Sequence, residues 1–307
     1  MFSFELFAPK LKTQNSKLFG DKMDKKDVKF IEHFENKVKD TLQKHKLADK
    51  KEKILVGCSG GKDSTTVLYL LQKFGYNVEA FSINLRIGEW SEKNLENVKK
   101  FCKEHKIKLH LVDIRDEFGG SICFIRSNIQ SKTKLKNCTI CGVIKRYLLN
   151  KKSREFKAKA LATGHSLNDE AENVLMNFLR GNLRLGLGLG PRTGIIKDKK
   201  FVTRIKPLYF CSSDEVRRYS ELMKFPVLYQ PCPCSEGAFR RDIRNKLVEM
   251  DKTGEIRRNL VNNFLGFLPK LRKHYANTQE LKYCKTCGEP ARNEVCRTCE
   301  LISIMRK

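Results

Sequence analysis

The strongest constraint on the fold is a glycine-containing hexapeptide set between a strand pattern and a helix pattern. Residues 54–56 form a short apolar run, Ile-Leu-Val, of the kind expected for a strand buried on both faces. Residues 67–74 place apolar side chains at the spacing of one helix face. The sequence SGGKDS, at positions 59–64, lies between them. This order predicts a buried strand that turns sharply into a helix.

The residue types in this hexapeptide suit the binding of a phosphate anion. Gly60 and Gly61 allow the backbone to turn tightly and to approach a ligand. The helix that follows directs free N–H groups and the positive end of its dipole at the loop. Lys62 adds a charge, and Ser59 and Ser64 add hydroxyls. The spacing differs from that of a Walker A loop. A plain glycine turn is the simpler alternative, but the complete order SGGKDS in this context disfavours it.

The charge balance points to a polyanionic partner. Lys and Arg total 62 against 35 Asp and Glu, a net charge of +27. Heat-adapted surfaces balance lysine with glutamate in ion-pair networks, so they do not account for a surplus of one sign. Nucleic acid is therefore the first candidate partner, and an anionic membrane surface is the weaker alternative.

The sequence predicts a cytoplasmic protein. No apolar run approaches the length of a membrane span, and residues 1–10 lack the pattern of a signal peptide. The 12 cysteines of a cytosolic chain indicate metal or redox chemistry and not structural disulfides.

Strand and helix patterns alternate after the hexapeptide. Further strands are predicted at 78–85, 108–114, 161–165 and 201–210, and helices at 91–105, 141–156, 169–180 and from Ser212, where Glu215 completes a capping box. The alternation implies an α/β fold with a parallel, doubly wound sheet and helices on both faces. Ligands of such sheets bind beyond the carboxyl ends of the strands.

Four segments lie outside this alternation. Residues 22–53 carry apolar side chains on roughly one helical face and predict an N-terminal helix. Residues 115–137 are basic and show no clear pattern, and the glycine-rich stretch 181–194 is predicted to be irregular. Residues 240–250 and 255–275 predict two basic helices.

The C-terminal cysteines have the spacing of a zinc ribbon. Two CxxC pairs are separated by eight residues and comprise Cys284, Cys287, Cys296 and Cys299. Each pair places two thiolates on one turn, and two such pairs complete a tetrahedron around zinc. Four thiolates leave no open position, so the zinc is predicted to be structural.

A third CxxC pair, Cys138 and Cys141, has no second pair nearby. It could be a redox pair, although the strand context is wrong for a thioredoxin-like protein, or two buried thiols. It could also share a metal centre with a distant cysteine, and the strip QPCPCS offers Cys232 and Cys234. An iron–sulfur cluster held by three protein thiolates leaves one iron free for an exogenous ligand. Cys58, Cys102, Cys123 and Cys211 are predicted to be small buried thiols, and His165 to be a hydrogen-bonded core residue.

Several of these motifs resemble one enzyme family. The hexapeptide resembles the PP-loop of the N-type ATP pyrophosphatases. The strings CTICGVIKRYLLN, at 138–150, and TGHSLNDEA, at 163–171, are similar to the TtuA and NcsA group of tRNA 2-thiolation enzymes and to the eukaryotic cytosolic tRNA thiolation proteins. The likeness continues through RIKPL at 204–208, the Cys232 strip and the terminal ribbon, and covers about residues 54–301.

The resemblance implies the site residues and cofactors. ATP-binding positions are Cys58, Ser59, Gly60, Gly61, Lys62, Asp63, Ser64, Ile83, Lys145 and Gly164. Catalytic positions are Lys62, Asp63 and Asp169, with Mg²⁺ at the carboxylates. A 4Fe-4S cluster is implied at Cys138, Cys141 and Cys232. Cys232 is aligned in preference to Cys234 because the family's cysteine is followed by two residues and a serine, here Ser235.

Three features depart from the family. Lys145 stands where the family commonly has an arginine, which keeps the charge but loses a bidentate fork. The family's members usually open with an additional zinc ribbon, which residues 1–50 lack, and its acidic motif usually has two adjacent aspartates where this chain has Asn168-Asp169. The expected domains are therefore a basic helical segment at 1–50 without a ribbon, the PP-loop domain at 51–235, a basic helical segment at 236–278 and the four-cysteine zinc ribbon at 279–307.

The reaction implied by the resemblance is adenylation of the C2 oxygen of a tRNA uridine or ribothymidine, followed by attack of sulfide. The sulfur source is free sulfide or a sulfur-carrier protein, and a cysteine persulfide without iron is the rival chemistry. A homodimer is expected. Two other classes remain open: a PP-loop ligase of the lysidine-synthetase type, which needs no such thiols, and a non-enzymatic zinc-ribbon RNA-binding protein, which needs no intact SGGKDS.

Overall fold

A five-stranded parallel sheet forms the centre of the protein. The computed structural model describes residues 23–193, 198–235, 239–275 and 281–306. The strands are β1 (Ile54–Gly57), β2 (Val78–Asn84), β3 (Leu109–Asp113), β4 (Ala160–Ala162) and β5 (Thr203–Ile205). Their order is β3-β2-β1-β4-β5, and every pairing is parallel. The predicted doubly wound sheet is confirmed, and its strand order reverses between β1 and β4.

Helices connect the strands and extend beyond them. They are α1 (Lys25–Lys44), α2 (Lys62–Lys73), α3 (Gly88–Glu104), α4 (Ile114–Phe118), α5 (Ile122–Gln130), α6 (Asn137–Glu155), α7 (Leu167–Leu179), α8 (Leu183–Gly186), α9 (Ser213–Leu222), α10 (Phe239–Met250), α11 (Glu255–Tyr275) and α12 (Arg297–Arg306), with a 3-10 turn at Pro233–Ser235. Among the described residues, no helix has the length and apolar character needed to cross a membrane.

Side chains of β1 alternate between two cores, one on each face of the sheet. Ile54 and Val56 join a large core with α1, α2, α3 and α9. Leu55 points to the opposite face and packs with residues of β2, β3 and β4 and with Leu149 of α6. Because β1 is buried on both sides, its apolar run is continuous, and the prediction of helices on both faces is confirmed.

Helix α7 has two apolar faces and supports the two basic helices. Leu167 and Ala171 pack with residues of α10 and α11. Val174, one turn further along, packs with Phe264 and Leu268 of α11. The residues at the start of α7 are therefore fixed from two directions.

A third core joins the C-terminal segment to the main domain. Strands β6 (Lys282–Tyr283) and β7 (Pro290–Ala291) form a small antiparallel hairpin, and α12 follows it. Leu301 and Ile302 of α12 pack against the isoleucines of α5 and α6. The C-terminal segment thus rests on the helix that contains Cys138 and Cys141.

The structure corrects two expectations about local order. The stretch 115–137 contains α4 and α5, whose first turns are capped by the side chains of Asp113 and Ser121. The glycine-rich stretch is not wholly irregular, because it contains the short helix α8, whose Gly186 packs closely on Phe264. Arg272 of α11 donates hydrogen bonds to the carbonyls of Leu187 and Leu189. Contacts with α11, which local sequence does not reveal, order this stretch.

A buried ion pair fastens α7 to the segment after β5. The Lys206 Nζ lies 2.8 Å from the Glu170 Oε1, and both side chains are buried. Burial raises the pKa of Glu170, and the Lys206 charge opposes that shift.

Replacing Lys206 by Met should lower the free energy of unfolding by about 3 kcal/mol, because a buried carboxylate would lose its counter-charge. The loss should shrink at acidic pH, where Glu170 becomes protonated. Urea denaturation over a pH series measures both effects. The exposed pair Lys246–Glu249 is the control, and Lys246→Met should change stability by less than about 0.5 kcal/mol. Equal effects of the two substitutions would contradict the importance of the buried pair.

Candidate active site

The hexapeptide forms a compact loop at the carboxyl end of β1. Gly60 has a φ of +81°, and an added Cβ there would lie 2.5 Å from the Asn94 carbonyl oxygen of α3. The Ser64 hydroxyl accepts a hydrogen bond from the Ser59 N–H at 3.1 Å and donates to the Gly61 carbonyl at 3.2 Å. Helix α2 begins at Lys62 without a side-chain cap. Its first N–H groups and positive dipole end therefore remain available to an anion.

Gly164, which follows β4, brings a second backbone segment against this loop. An added Cβ at Gly164 would lie 2.7 Å from the Asp63 carbonyl carbon and 2.8 Å from the Ser64 nitrogen. No side chain fits there without a shift of backbone. This contact fixes the two segments that flank the point where the strand order reverses, which is where ligands of doubly wound sheets bind.

Two carboxylates and a lysine lie beside the loop. The Lys62 Nζ lies 2.6 Å from the Asp63 Oδ1 and 3.0 Å from the Ser213 Oγ. Burial raises the pKa of Asp63; the charge of Asp169 also raises it, while Lys62 opposes the shift. The pKa of Asp169 is lowered, because Arg240, His165 and a backbone N–H outweigh its burial. Oxygen ligands of this kind fit Mg²⁺.

Two arginines of α10 reinforce the acidic start of α7. Arg240 and Arg244 donate to the Glu172 carboxylate at 2.7 and 2.6 Å, and each has a nitrogen 3.5 Å from the Asp169 Oδ1. Arg240 also donates to the Asp169 carbonyl at 3.0 Å. Sequence analysis missed this pair, whose only signal is the four-residue spacing of two arginines on a basic helix.

A cavity of about 580 Å³ connects these groups. Its wall includes Ser59, Gly61, Lys62, Asp63, Trp90, Asn94, Asp169, Ser213, Gln230, Pro231, Arg244 and Lys252. The volume lies in the range of small-molecule and cofactor sites. Gln230 and Pro231 directly precede Cys232, and the Trp90 indole N–H donates to the Gln230 carbonyl at 3.3 Å. The cysteine strip therefore begins at the wall of the cavity that contains the hexapeptide.

The remaining predicted ATP positions are Cys58, Ile83 and Lys145, which lie outside the loop at 59–64. Cys58 is buried, its thiol donates to the Val56 carbonyl at 3.3 Å, and burial raises its pKa, so its side chain faces the core. Ile83 of β2 is partly buried. Lys145 is exposed on α6, and its charge acts on Cys141 and Cys232. Lys145 is thus a neighbour of the cysteines in this structure.

Four cysteines from two distant segments converge. Cys138 and Cys141 occupy the first turns of α6, and the Cys138 Sγ lies 3.8 Å from the Cys234 carbonyl oxygen. Burial raises the pKa of Cys141 and of Cys232; the charge of Lys145 opposes both shifts. Cys141, Cys232 and Cys234 all pack on the third core. We call the group Cys138, Cys141, Cys232 and Cys234 the cysteine pocket.

The donor set of this pocket fits an iron–sulfur cluster. Among the described residues, no three sulfurs of the cysteine pocket all lie within 4.8 Å of one another, in contrast to those of the C-terminal cysteines. A cubane cluster separates its ligating sulfurs further than a single metal ion does. Thiols are also the ligands that such clusters require.

Most of the remaining cysteines and His165 lie where the sequence predicts, and one cysteine does not. Cys102 and Cys211 are buried, as predicted. Thr163 Oγ1 and His165 Nδ1 are 2.8 Å apart, and burial lowers the pKa of His165 to about 4, as expected of a hydrogen-bonded core residue. The expectation for Cys123 is wrong: it is only half-buried and accepts a hydrogen bond from Arg126.

The C-terminal cysteines form a compact tetrad. Sulfur atoms of Cys284, Cys287, Cys296 and Cys299 all lie within 4.8 Å of one another. The Cys296 N–H donates to the Cys284 sulfur at 3.2 Å, and backbone donors lower the pKa of Cys284 to about 6 despite its burial. A zinc ion fits this thiolate set. Glu289, between the pairs, accepts two hydrogen bonds from Arg154 of α6.

Loss of zinc from the tetrad should weaken the cysteine pocket. Cys287→Ser should reduce bound zinc from about one ion per chain to a small fraction, because three thiolates and a hydroxyl hold zinc poorly. Since α12 packs on α5 and α6, iron uptake at the pocket should fall with it. Metal analysis after anaerobic reconstitution measures both ions, with Cys102→Ser as the control. A zinc-free variant with full iron content would show that the ribbon does not support the pocket.

Comparisons with known proteins place the chain in a family. Residues 30–250 match the PP-loop domain family. The tRNA-5-methyluridine(54) 2-sulfurtransferase of Pyrococcus horikoshii is 36% identical over 91% of this chain and 87% of its own length. The enzyme of the same name from Thermus thermophilus is 30% identical over 89% and 83%. Cytoplasmic tRNA 2-thiolation protein 1 of Caenorhabditis elegans is 29% identical over 89% and 73%.

A solved structure agrees with these sequence relatives. The U34-tRNA thiolase NcsA from Methanococcus maripaludis, determined with its [4Fe-4S] cluster, is 30% identical, covers 90% of this chain and 88% of its own, and superposes with a TM-score of 0.72. The resemblance drawn from the motifs is thereby confirmed. This chain belongs to the PP-loop family of tRNA 2-sulfurtransferases, the TtuA and NcsA group.

Proposed function

We propose that this protein replaces the C2 oxygen of 5-methyluridine 54 in tRNA with sulfur, at the expense of ATP. Three relatives that are 30–36% identical have names that specify this nucleoside. The observation that carries the proposal is the shared cavity: the hexapeptide forms one part of its wall, and the residues that precede Cys232 form another. A nucleotide and a sulfur source can therefore meet in one place.

The first step that we propose is adenylation. The loop at 59–64 and the free N–H groups of α2 would bind phosphate, with Asp63 and Asp169 as the residues that would hold Mg²⁺. The C2 oxygen would attack the α-phosphorus of ATP, and the bond to the leaving pyrophosphate would break. Helix N–H groups and Lys62 would stabilise the charge that develops on that leaving group. Lys62 already donates to Asp63 and Ser213, which leaves the third N–H of its ammonium group for this purpose.

The second step that we propose is displacement by sulfur. Hydrosulfide would add to C2, and AMP would leave with the original oxygen. Cys138, Cys141 and Cys232 would hold the 4Fe-4S cluster, and a bound cluster supplies an iron site at which sulfide can be kept deprotonated. The convergence of these thiols beside the cavity favours thiolation over a lysidine-type ligase, which does not require them. A persulfide on one of these cysteines is the alternative that iron analysis would reveal.

The basic surplus suits a tRNA substrate. Lys252 and Arg244 lie in the cavity wall, and the whole chain carries a net charge of +27. Phosphate contacts by such residues provide most of the non-specific affinity for nucleic acid. We further propose that a sulfur-carrier protein or free sulfide supplies the sulfur, that the enzyme is a homodimer, and that it acts in the cytoplasm without a membrane partner.

Nucleoside analysis tests the function. Under anaerobic conditions with ATP, sodium sulfide and tRNA that carries 5-methyluridine at position 54, mass spectrometry should detect 2-thio-5-methyluridine. Cys138→Ser, Cys141→Ser and Cys232→Ser should each reduce the product at least about 100-fold, a loss of roughly 3 kcal/mol of transition-state stabilisation. Cys102→Ser, in the core, should retain it. Product formation by the Cys141 variant would contradict the cluster role. Detection of 2-thiouridine, which lacks the methyl group, would show that a different uridine of the tRNA is the substrate.

Gly164 offers a test of the nucleotide site that is independent of sulfur. Gly164→Ala places a methyl group within 3 Å of the Asp63–Ser64 backbone and should displace the loop. ATP affinity, measured by calorimetry, should fall at least about tenfold, or 1.4 kcal/mol. Gly266→Ala is the control, because a Cβ there contacts nothing within 4 Å. An unchanged affinity of the Gly164 variant would place the nucleotide elsewhere.

A further inference from the structure

A buried arginine borders the cysteine pocket. Arg126 of α5 is only 7% exposed. One of its Nη atoms donates to the Cys123 sulfur at 3.2 Å, and its Nε has no hydrogen-bond partner among the described residues. Ile122, Ile125 and Ile129 of the same helix are fully buried in the third core. An arginine is rarely found in such a place without an anionic partner.

Sulfur atoms of Cys123 and of the cysteine pocket lie around Arg126. Burial lowers the pKa of the Arg126 guanidinium, but the thiols of Cys234, Cys123 and Cys141 together raise it above its usual value. Within the described ranges 23–193, 198–235, 239–275 and 281–306, no carboxylate forms an ion pair with this arginine. The guanidinium therefore has sulfur neighbours where other buried arginines have carboxylates.

A fixed positive charge at this place has a consequence for bound sulfur. A 4Fe-4S core held by three thiolates carries net negative charge, and a hydrosulfide anion beside it adds more. Burying like charges together is costly unless a counter-charge lies close. A guanidinium with an unused N–H provides both a charge and a directed hydrogen bond, and it stays protonated at any working pH.

We propose that Arg126 is a positioning residue that holds anionic sulfur in the cysteine pocket. It neutralises the charge of the sulfur-rich centre, in which Cys138, Cys141 and Cys232 would bind iron. The inference rests on the proposed function, because it assumes that a cluster occupies the pocket.

The test compares charge variants of the reconstituted holoprotein, without tRNA. Arg126→Met removes the charge at similar length, and Arg126→Lys keeps the charge but loses the fork. Arg115→Met is the matched control, since Arg115 is exposed on the neighbouring helix α4. Each protein is reconstituted anaerobically, its iron is counted, its reduction potential is titrated by electron paramagnetic resonance, and sodium sulfide binding is followed by visible absorption.

Loss of the Arg126 charge should destabilise the reduced cluster and the sulfide-bound cluster, because each is more negative than the oxidised, sulfide-free one. Arg126→Met should therefore move the reduction potential to a more negative value and weaken sulfide binding at least about tenfold. Arg126→Lys should keep the potential near that of the wild type but bind sulfide less well, because its point charge cannot supply the directed N–H. Arg115→Met should match the wild type in both measurements.

Two outcomes would overturn the inference. If the wild type holds a cluster and Arg126→Met matches it in potential and sulfide binding, Arg126 has no such role, while the proposed function stands. If the wild type takes up no iron, the inference falls together with the proposed cluster, and the persulfide alternative for the same reaction remains. Thermal unfolding of the iron-free variants shows whether a substitution acts through loss of folding or through loss of charge. If Arg126→Met does not fold, Arg126→Gln is used in its place, and the same shifts in reduction potential and sulfide binding are expected.

Discussion

The whole site depends on the approach of one backbone segment to another. Gly164, after β4, lies against the peptide that joins Asp63 to Ser64, after β1, at a distance that excludes any side chain. This contact occurs where the strand order of the sheet reverses, so the two loops diverge and leave a crevice between them. The uncapped start of α2 faces that crevice. A phosphate site formed by backbone N–H groups and a helix dipole thus follows from the strand order and from the glycine at position 164.

A second level of organisation brings sulfur to this crevice. The cysteine pocket is assembled from the start of α6 and from a strip about 90 residues later that crosses the cavity wall. Neither segment is held by the sheet alone. The core that supports them is completed by Leu301 and Ile302 of α12, and the zinc ribbon is joined to α6 through Glu289 and Arg154. The ribbon is therefore part of the mechanical support of the pocket, so a metal bound in the ribbon would also stabilise the pocket.

Sequence alone predicted the parts of the site that rest on local patterns. The strand, hexapeptide and helix at 54–74 and the spacing of the terminal cysteines each encode their structure within a few residues. The convergence of Cys138, Cys141 and Cys232 came from family resemblance, because spacing cannot show that segments so far apart meet. Arg126 was missed because burial of a charged residue contradicts the pattern on which such analysis depends. Arg240 and Arg244 were missed because a basic helix face looks the same whether it contacts solvent or Glu172.

Positively charged groups of this molecule have different neighbours at the surface, at the cavity and in the interior. Arg240, Arg244 and Lys62 are already paired with acidic side chains at the cavity, so they fix Asp63, Asp169 and Glu172 and leave the cavity wall only partly positive. Arg126 has no acidic partner among the described residues and lies among thiols. Under the proposed function, an incoming tRNA would meet the solvated surplus of lysines, ATP would meet backbone N–H groups, and sulfur would meet a buried guanidinium. Three anions of different size would thereby bind to three kinds of positive group, and hydrosulfide would not compete with phosphate for the same donors.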